Sequence, residues 1–179
     1  MDGVKTTALP LDRLLLGVGS PNPEALKRVR AGIAELRSSS RRASSSAALG
    51  PQMCRLAGEV ADGVRLRLAD ARVRAPVGRA RARGRRGGAS LSRQVYAYLR
   101  VALGPTAGEL LQQEANRYAA VPAYAANFTR MGLKPVETAI AAQNRDDVQR
   151  GLAPWNGVVD HIIVARSPPR TRSTSTSRS

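Results

Sequence analysis

Cysteine is almost missing from this 179-residue chain: Cys54 stands alone. One thiol excludes an internal disulfide framework and any cysteine-built zinc site. A lone free cysteine most often fills a small space in a core, which is the role expected here. Histidine is equally scarce, with His161 alone, and aromatic residues make up only 3% of the chain. No stretch approaches the roughly 20 consecutive apolar residues that a membrane span requires. The opening "MDGVKTTALPLDRLLLGVGS" is interrupted by Asp12 and Arg13, so it does not read as a secretory signal. A cytoplasmic protein without a membrane partner is expected.

Acidic residues are also few, 13 against 29 basic ones, giving a net charge of +16 and a pI near 11.6. Such a balance ordinarily points to a polyanionic partner. The excess is local, however. Residues 65–100 carry a net +10 and residues 166–179 a net +4, leaving the rest of the chain close to neutral. What remains is an ordinary protein with 42% apolar residues, enough for one core.

Strand-like and helix-like patterns alternate along it. "RLLLGVGS" (13–20) is an apolar run ending in Gly-x-Gly-Ser, which predicts a strand buried on both faces of a parallel sheet. Leu26, Val29, Ile33 and Leu36 then form a helical stripe. The low-complexity "SSSRRASSS" (38–46) is ambiguous and leads into "AALG", a short strand end. Pro51 sits where a helix accepts proline, with Met53, Leu56, Ala57 and Val60 facing inward. "ADGV" (61–64) turns into a further apolar segment, followed by the Arg-rich stretch. In 94–104 the period is two, with Val95, Ala97, Leu99, Val101 and Leu103 on one face. A helix with Ala107, Leu110, Leu111, Ala115 and Tyr118 inward follows. Another runs from Pro122 with Tyr124, Phe128 and Met131 on its stripe and Gly132 as its cap. "VETAIAAQNRDDVQRGLA" predicts further helical turns, Trp155 a packing anchor, and "GVVDHIIVA" (157–165) a last buried strand. About five strands alternating with helices argue for an α/β fold with a parallel sheet, open or closed into a barrel. A complete (β/α)8 barrel takes about 250 residues, so this length supplies part of one.

The motif with most chemical content is "ALGPQMCRLAGE" (48–59). A strand end, a glycine and an immediate helix start place free backbone N–H groups and a positive helix terminus at the mouth of a sheet, which suits a phosphate. An unoccupied βα turn has the same geometry. Gly17-x-Gly19-Ser20 is a weaker version, more often a plain turn. Asp160 and His161 fall on opposite faces of their strand and make no acid–base pair, so a structural histidine is expected. No nucleophile–base pair, metal-ligand set or Walker motif is evident.

"LPLDRLLLGVGSPNPEALKRVRAGIAELR", "AALGPQMCRLAGEVADGV" and "YAYLRVALGP…RYAAVPAYAANFTRMG" together resemble the luciferase-like monooxygenase superfamily. The resemblance is to its flavin- or coenzyme F-420-dependent oxidoreductase branch and covers about residues 9–165 outside the Arg-rich stretch. It implies part of a (β/α)8 TIM barrel, about five βα units without the N-terminal strands. It further implies coenzyme F-420 or FMN as cofactor and hydride transfer or monooxygenation of a small organic substrate. By the same resemblance Leu49, Gly50, Gln52 and Met53 would contact the cofactor phosphate, with Gly19 and Ser20 nearby. Catalytic residues are not assignable, because the strands that carry them in the family have no counterpart here. The implied organisation is a partial barrel over 1–165 with an atypical 65–92, then a disordered basic tail over 166–179. An oligomer or a complementing chain is the expected protein partner.

Three readings of the Arg-rich stretch remain, the first being a plain solvated basic loop with no partner. As a nucleic-acid-binding module, residues 65–93 would neutralise phosphates and lose affinity steeply with salt, but they lack aromatics for stacking and any reader fold, which argues against nucleic acid. As an out-of-frame translation of high-GC coding sequence, "LADARVRAPV" (68–77) permits "WLTPESARRS" in a neighbouring frame. "SPPRTRSTSTSRS" (167–179) permits "LPAEDTLDEYLAL". The coding DNA is expected to use the codons that give those readings; sequencing that finds other codons removes the explanation, and a low-salt gel shift would restore the nucleic-acid one.

Overall fold

The computed structural model describes residues 15–20, 24–39, 43–69, 71 and 94–167. Residues 72–92 of the Arg-rich stretch and 168–179 of the basic tail lie outside the described residues, as do the two frame readings that depend on them.

The chain runs β1 (Leu16–Val18), α1 (Ala25–Ser39), β2 (Ser44–Ala48), α2 (Pro51–Val60), β3 (Gly63–Arg67), β4 (Gln94–Leu103), α3 (Ala107–Ala119) and α4 (Pro122–Met131). A 3-10 turn (Pro135–Thr138), β5 (Ala139–Ala142), α5 (Arg145–Leu152), a second 3-10 turn (Ala153–Trp155) and β6 (His161–Arg166) complete it. Every strand pair is parallel. β1, β2, β3, β4 and β6 lie side by side, and β4, the longest strand, also pairs through Arg100–Leu103 with β5. The β6 ladder spans Tyr96–Val101 and overlaps both the β3 and the β5 registers. β3 and β5 therefore follow one another along the opposite edge of β4. This is a parallel half-barrel sheet with alternating helices, a partial (β/α)8 barrel.

Alternation along the strands decides which side chains go under the helices. Val64 and Leu66 of β3 and Val95, Ala97 and Leu99 of β4 join Ala48, Cys54, Ala57 and Trp155 in the main core. Val29 and Ile33 of α1 pack with Leu56 and Ala61 in a second cluster, and Ala102, Ala107 and Leu111 form a third beneath α3. The central positions of the stripes expected for α1, α2 and α3 bury, as does Trp155, but Leu26 at the start of α1 is 41% exposed. Leu103, expected on the buried face of β4, is 59% exposed because it lies at the strand's end.

Three expectations need correction. The run at 13–20 was expected to be buried on both faces. Its strand is only Leu16–Val18, with an exposed Gly17, because β1 is the margin of an open sheet. β6 is the other margin: Val164 is half exposed and the strand is not a buried one. Finally, "TAIAA" is strand β5 rather than helix. Four small apolar residues carry no decisive period, and the free upper half of β4 supplies the hydrogen-bonding partner.

The last three serines of the ambiguous run form part of the interior strand β2. Ser44, Ser45 and Ser46 are all essentially buried, and each hydroxyl finds an acceptor: the Asp62 carboxylate at 2.8 Å, the Leu16 carbonyl at 3.4 Å and the Met53 sulfur at 3.8 Å. Asp62 fastens the end of the sheet. Its carboxylate also accepts the Ser44 amide at 2.9 Å and the Arg37 guanidinium of α1 at 2.7 Å, and its carbonyl accepts the Gln94 amide. Burial pushes this carboxyl up, but the Ser44 amide and hydroxyl and then Arg37 outweigh it and hold it below the usual carboxylate range. A lowered folded value means the stabilisation is complete above the unfolded carboxyl's pKa, about 4, and fades as pH falls through the folded one. Asp62→Asn is expected to cost about 1–3 kcal/mol in urea unfolding at pH 7, and the difference from wild type should shrink below about pH 4.

Candidate functional site

The C-terminal ends of β2 and β3 meet the N-terminus of α2 and one face of α4. Gly50 is the N-cap of α2, extended at φ −141°, and Pro51 opens the helix. The first intrahelical bond runs from the Cys54 amide to the Gly50 carbonyl. With proline at the first position, the Gln52 and Met53 amides are the orphan donors of this turn.

A residue that the sequence did not single out completes the turn. Arg130, near the end of α4, donates to the Leu49 carbonyl at 3.2 Å and to the Asn127 side-chain oxygen. A Cβ at position 50 would stand 3.0 Å from the Arg130 Nη2 atom, tighter than ordinary contact, so a side chain there would displace the tip of the guanidinium. Asn127 is buried, and its amide nitrogen donates to the Leu68 carbonyl at 3.3 Å. Leu68 sits just past β3 with φ +49°, an unusual conformation for a residue with a branched side chain. Through Asn127 and Arg130, α4 therefore ties together the outlets of two neighbouring strands. No local pattern announces this, because the partners are about 60 and 80 residues apart in sequence.

The predicted site residues divide. Leu49 and Gly50 are at the turn with Arg130. Gln52 is exposed and lines the α1–α2 groove with Lys27, Arg30 and Arg55, while Met53 packs into the core between the clusters, so both offer the rim only their amides. Gly19 lies just past β1, and a Cβ on it would meet Ala47 at 3.2 Å. Ser20 is half-buried beside it. Cys54 is core filler, as expected; burial pushes its thiol up to about 11, with Arg130 pulling the other way. His161 is a bonded structural residue, its Nε2 2.9 Å from the Gln94 amide oxygen and its ring stacked on Tyr96. Asp160 accepts the Val95 amide at 2.7 Å at the far end of the sheet.

The face of the sheet opposite α1 and α2 is polar, and α3 covers part of it through Ala102 and the Arg100–Glu114 pair. Ser45, Arg65, Arg67, Tyr96, Tyr98 and Arg100 turn toward it by alternation. Arg100 is neutralised by Glu114 of α3, which also accepts the Ser167 hydroxyl at 2.8 Å. Burial pushes the Glu114 carboxyl up, but Ser167 and Arg100 hold it below its usual range. Among the described residues no group of three histidine, cysteine or acidic side chains is placed to hold a metal, and no helix is long and apolar enough to cross a membrane.

No family model and no curated protein sequence matches the chain. Solved structures do. An F420-dependent secondary alcohol dehydrogenase in complex with an F420-acetone adduct superposes with a TM-score of 0.57 at 14% identity, over 73% of this chain and 45% of that one. A coenzyme F420-dependent tetrahydromethanopterin reductase from Methanopyrus kandleri gives a TM-score of 0.46 at 17% identity, over 71% and 45%. The chain thus spans less than half the length of these structures, and the likeness to the dehydrogenase is one of fold.

Asn127→Ala removes the donor to a carbonyl at a buried strand outlet and the brace behind Arg130. It is expected to cost about 1–3 kcal/mol in chemical unfolding. A loss below about 0.5 kcal/mol would show that α4 does not hold the two strand ends together.

Proposed function

We propose that the chain is the cofactor-gripping part of an oxidoreductase of the luciferase-like kind, its C-terminal rim holding the phosphate-bearing tail of coenzyme F-420. The observation that carries this reading is the Arg130 guanidinium fixed against the β2–α2 turn, beside a helix N-terminus. Phosphate is held where free amides, a positive helix end and a guanidinium converge, and the residues present fit that requirement. The fold likeness to an enzyme bound to an F420-acetone adduct supports the same assignment; nothing comparable supports FMN.

In this reading each residue has one task. The Gln52 and Met53 amides bind phosphate oxygens, and Arg130 balances the charge. The Leu49 carbonyl and the Asn127 oxygen fix the guanidinium, and Gly50 leaves it room. The bound coenzyme supplies a hydride to a small organic substrate. This chain's own residues bind and orient rather than transfer protons: none of the carboxylates described at the rim or on the polar face stands free beside it. With β1, β5 and β6 each paired on one side only among the described residues, a complementing chain or a second copy completes the pocket, and turnover belongs to that assembly.

Coenzyme F-420 fluorescence titration tests the assignment on the full chain. Arg130→Gln should weaken binding about tenfold, as losing one charge-assisted contact does. Gly50→Val, which drives a side chain into the guanidinium, should match it. Equal binding by wild type and both variants would overturn the site.

A further inference from the structure

A second cationic surface lies on the face of the sheet opposite α1 and α2, one strand over from the rim. Alternation along β3 sends Val64 and Leu66 under the helices and turns Arg65 and Arg67 the other way. The Arg65 guanidinium lies against Gly17, where a Cβ would stand 3.2 Å from its Nη2. Its Nε is shielded from water and has no hydrogen-bond partner. Arg67 lies over the Tyr98 ring, 5.3 Å from its centre.

These two cations are two residues apart on one strand, about 7 Å between their Cα atoms, and they repel one another. The neighbouring carboxylates are engaged elsewhere. Glu114 pairs with Arg100, and Asp160 accepts the Val95 amide at the opposite end of the strands. Asp62 is bound to Arg37 and Ser44, and Glu59 to Arg30. Among the described residues no carboxylate forms an ion pair with Arg65 or Arg67. Two cations with no acidic partner among the described residues, one of them carrying a shielded donor, suit an anion.

We propose that Arg65 and Arg67 form a binding site for a small, doubly charged oxyanion, a phosphate ester or a dicarboxylate, on the sheet face opposite α1 and α2. Guanidinium forks match both groups in geometry. The Tyr98 ring restrains Arg67 from below, and the missing side chain at Gly17 seats Arg65. The site is separate from the β2–α2 turn, which uses Arg130, so it stands or falls independently of the coenzyme reading.

Isothermal titration of the full-length Arg130→Gln variant, which weakens the rim site, separates the two. Inorganic phosphate and succinate are the probes, with chloride as the control anion. Saturable binding of phosphate or succinate is expected, and the tighter of the two names the source. Adding Arg65→Gln or Arg67→Gln should weaken it about tenfold each, and the pair together should abolish it. Protection of Arg65 and Arg67 from phenylglyoxal in the wild-type chain, read by peptide mass, reports the same contact without a variant. The proposal is overturned if neither probe binds, or if the arginine variants bind as before. Equal modification with and without the probes overturns it too. A double variant that changes the assembly's mass while leaving affinity intact would make the surface a protein interface instead.

Discussion

The Asp62 carboxylate fixes the relative height of everything that follows from it. It holds the first residue of β2 by amide and hydroxyl and the last turn of α1 by Arg37, while its own carbonyl receives the start of β4. A parallel strand slipped by one residue would exchange its two faces. Once Ser44 and Gln94 are anchored to the same residue, Val64, Leu66, Val95 and Ala97 must point under the helices, and Arg65, Arg67, Tyr96 and Tyr98 must not. Both the rim turn and the cationic surface are consequences of that register.

Small residues give the sheet its close approaches. Ser44, Ser45 and Ser46 let β2 sit between two strands and under α2 without empty space, because each hydroxyl is short and each is bonded. At Gly50 the same economy serves a guanidinium, and at Gly63 an aromatic ring, where a Cβ would come within 3.0 Å of Tyr96. Bulk at Gly63 would press on the Gln94 carbonyl as well as on the Tyr96 ring, whereas at Gly50 it would first displace the Arg130 tip.

Much of the architecture could be read from periodicity. The stripes of α1 and α2 and the alternation of β4 follow directly from apolar spacing, and the Gly132 cap adopts the left-handed conformation it was assigned. The phosphate-type turn was legible because it is local: strand end, glycine, proline and helix fall within a few residues. Arg130 was not, since an exposed arginine near a helix end has nothing in its neighbourhood to mark it. β2 was ambiguous because serine favours turns when read alone, and its burial depends on acceptors supplied by Asp62, Leu16 and Met53. Arg65 and Arg67 were counted with the basic run, whereas they belong to a regular strand whose alternate residues are core. The exposure of β1 and β6 depends on what lies beyond them in space, which no pattern within either strand encodes.

Among the described residues β1, β5 and β6 each pair on one side only, and the margins at β1 and β6 are unequal. β1 presents three residues and β6 six, with Val164 adding apolar surface only to the second. An incoming chain laid along β6 meets about twice the ladder that it would find at β1, together with a hydrophobic foothold.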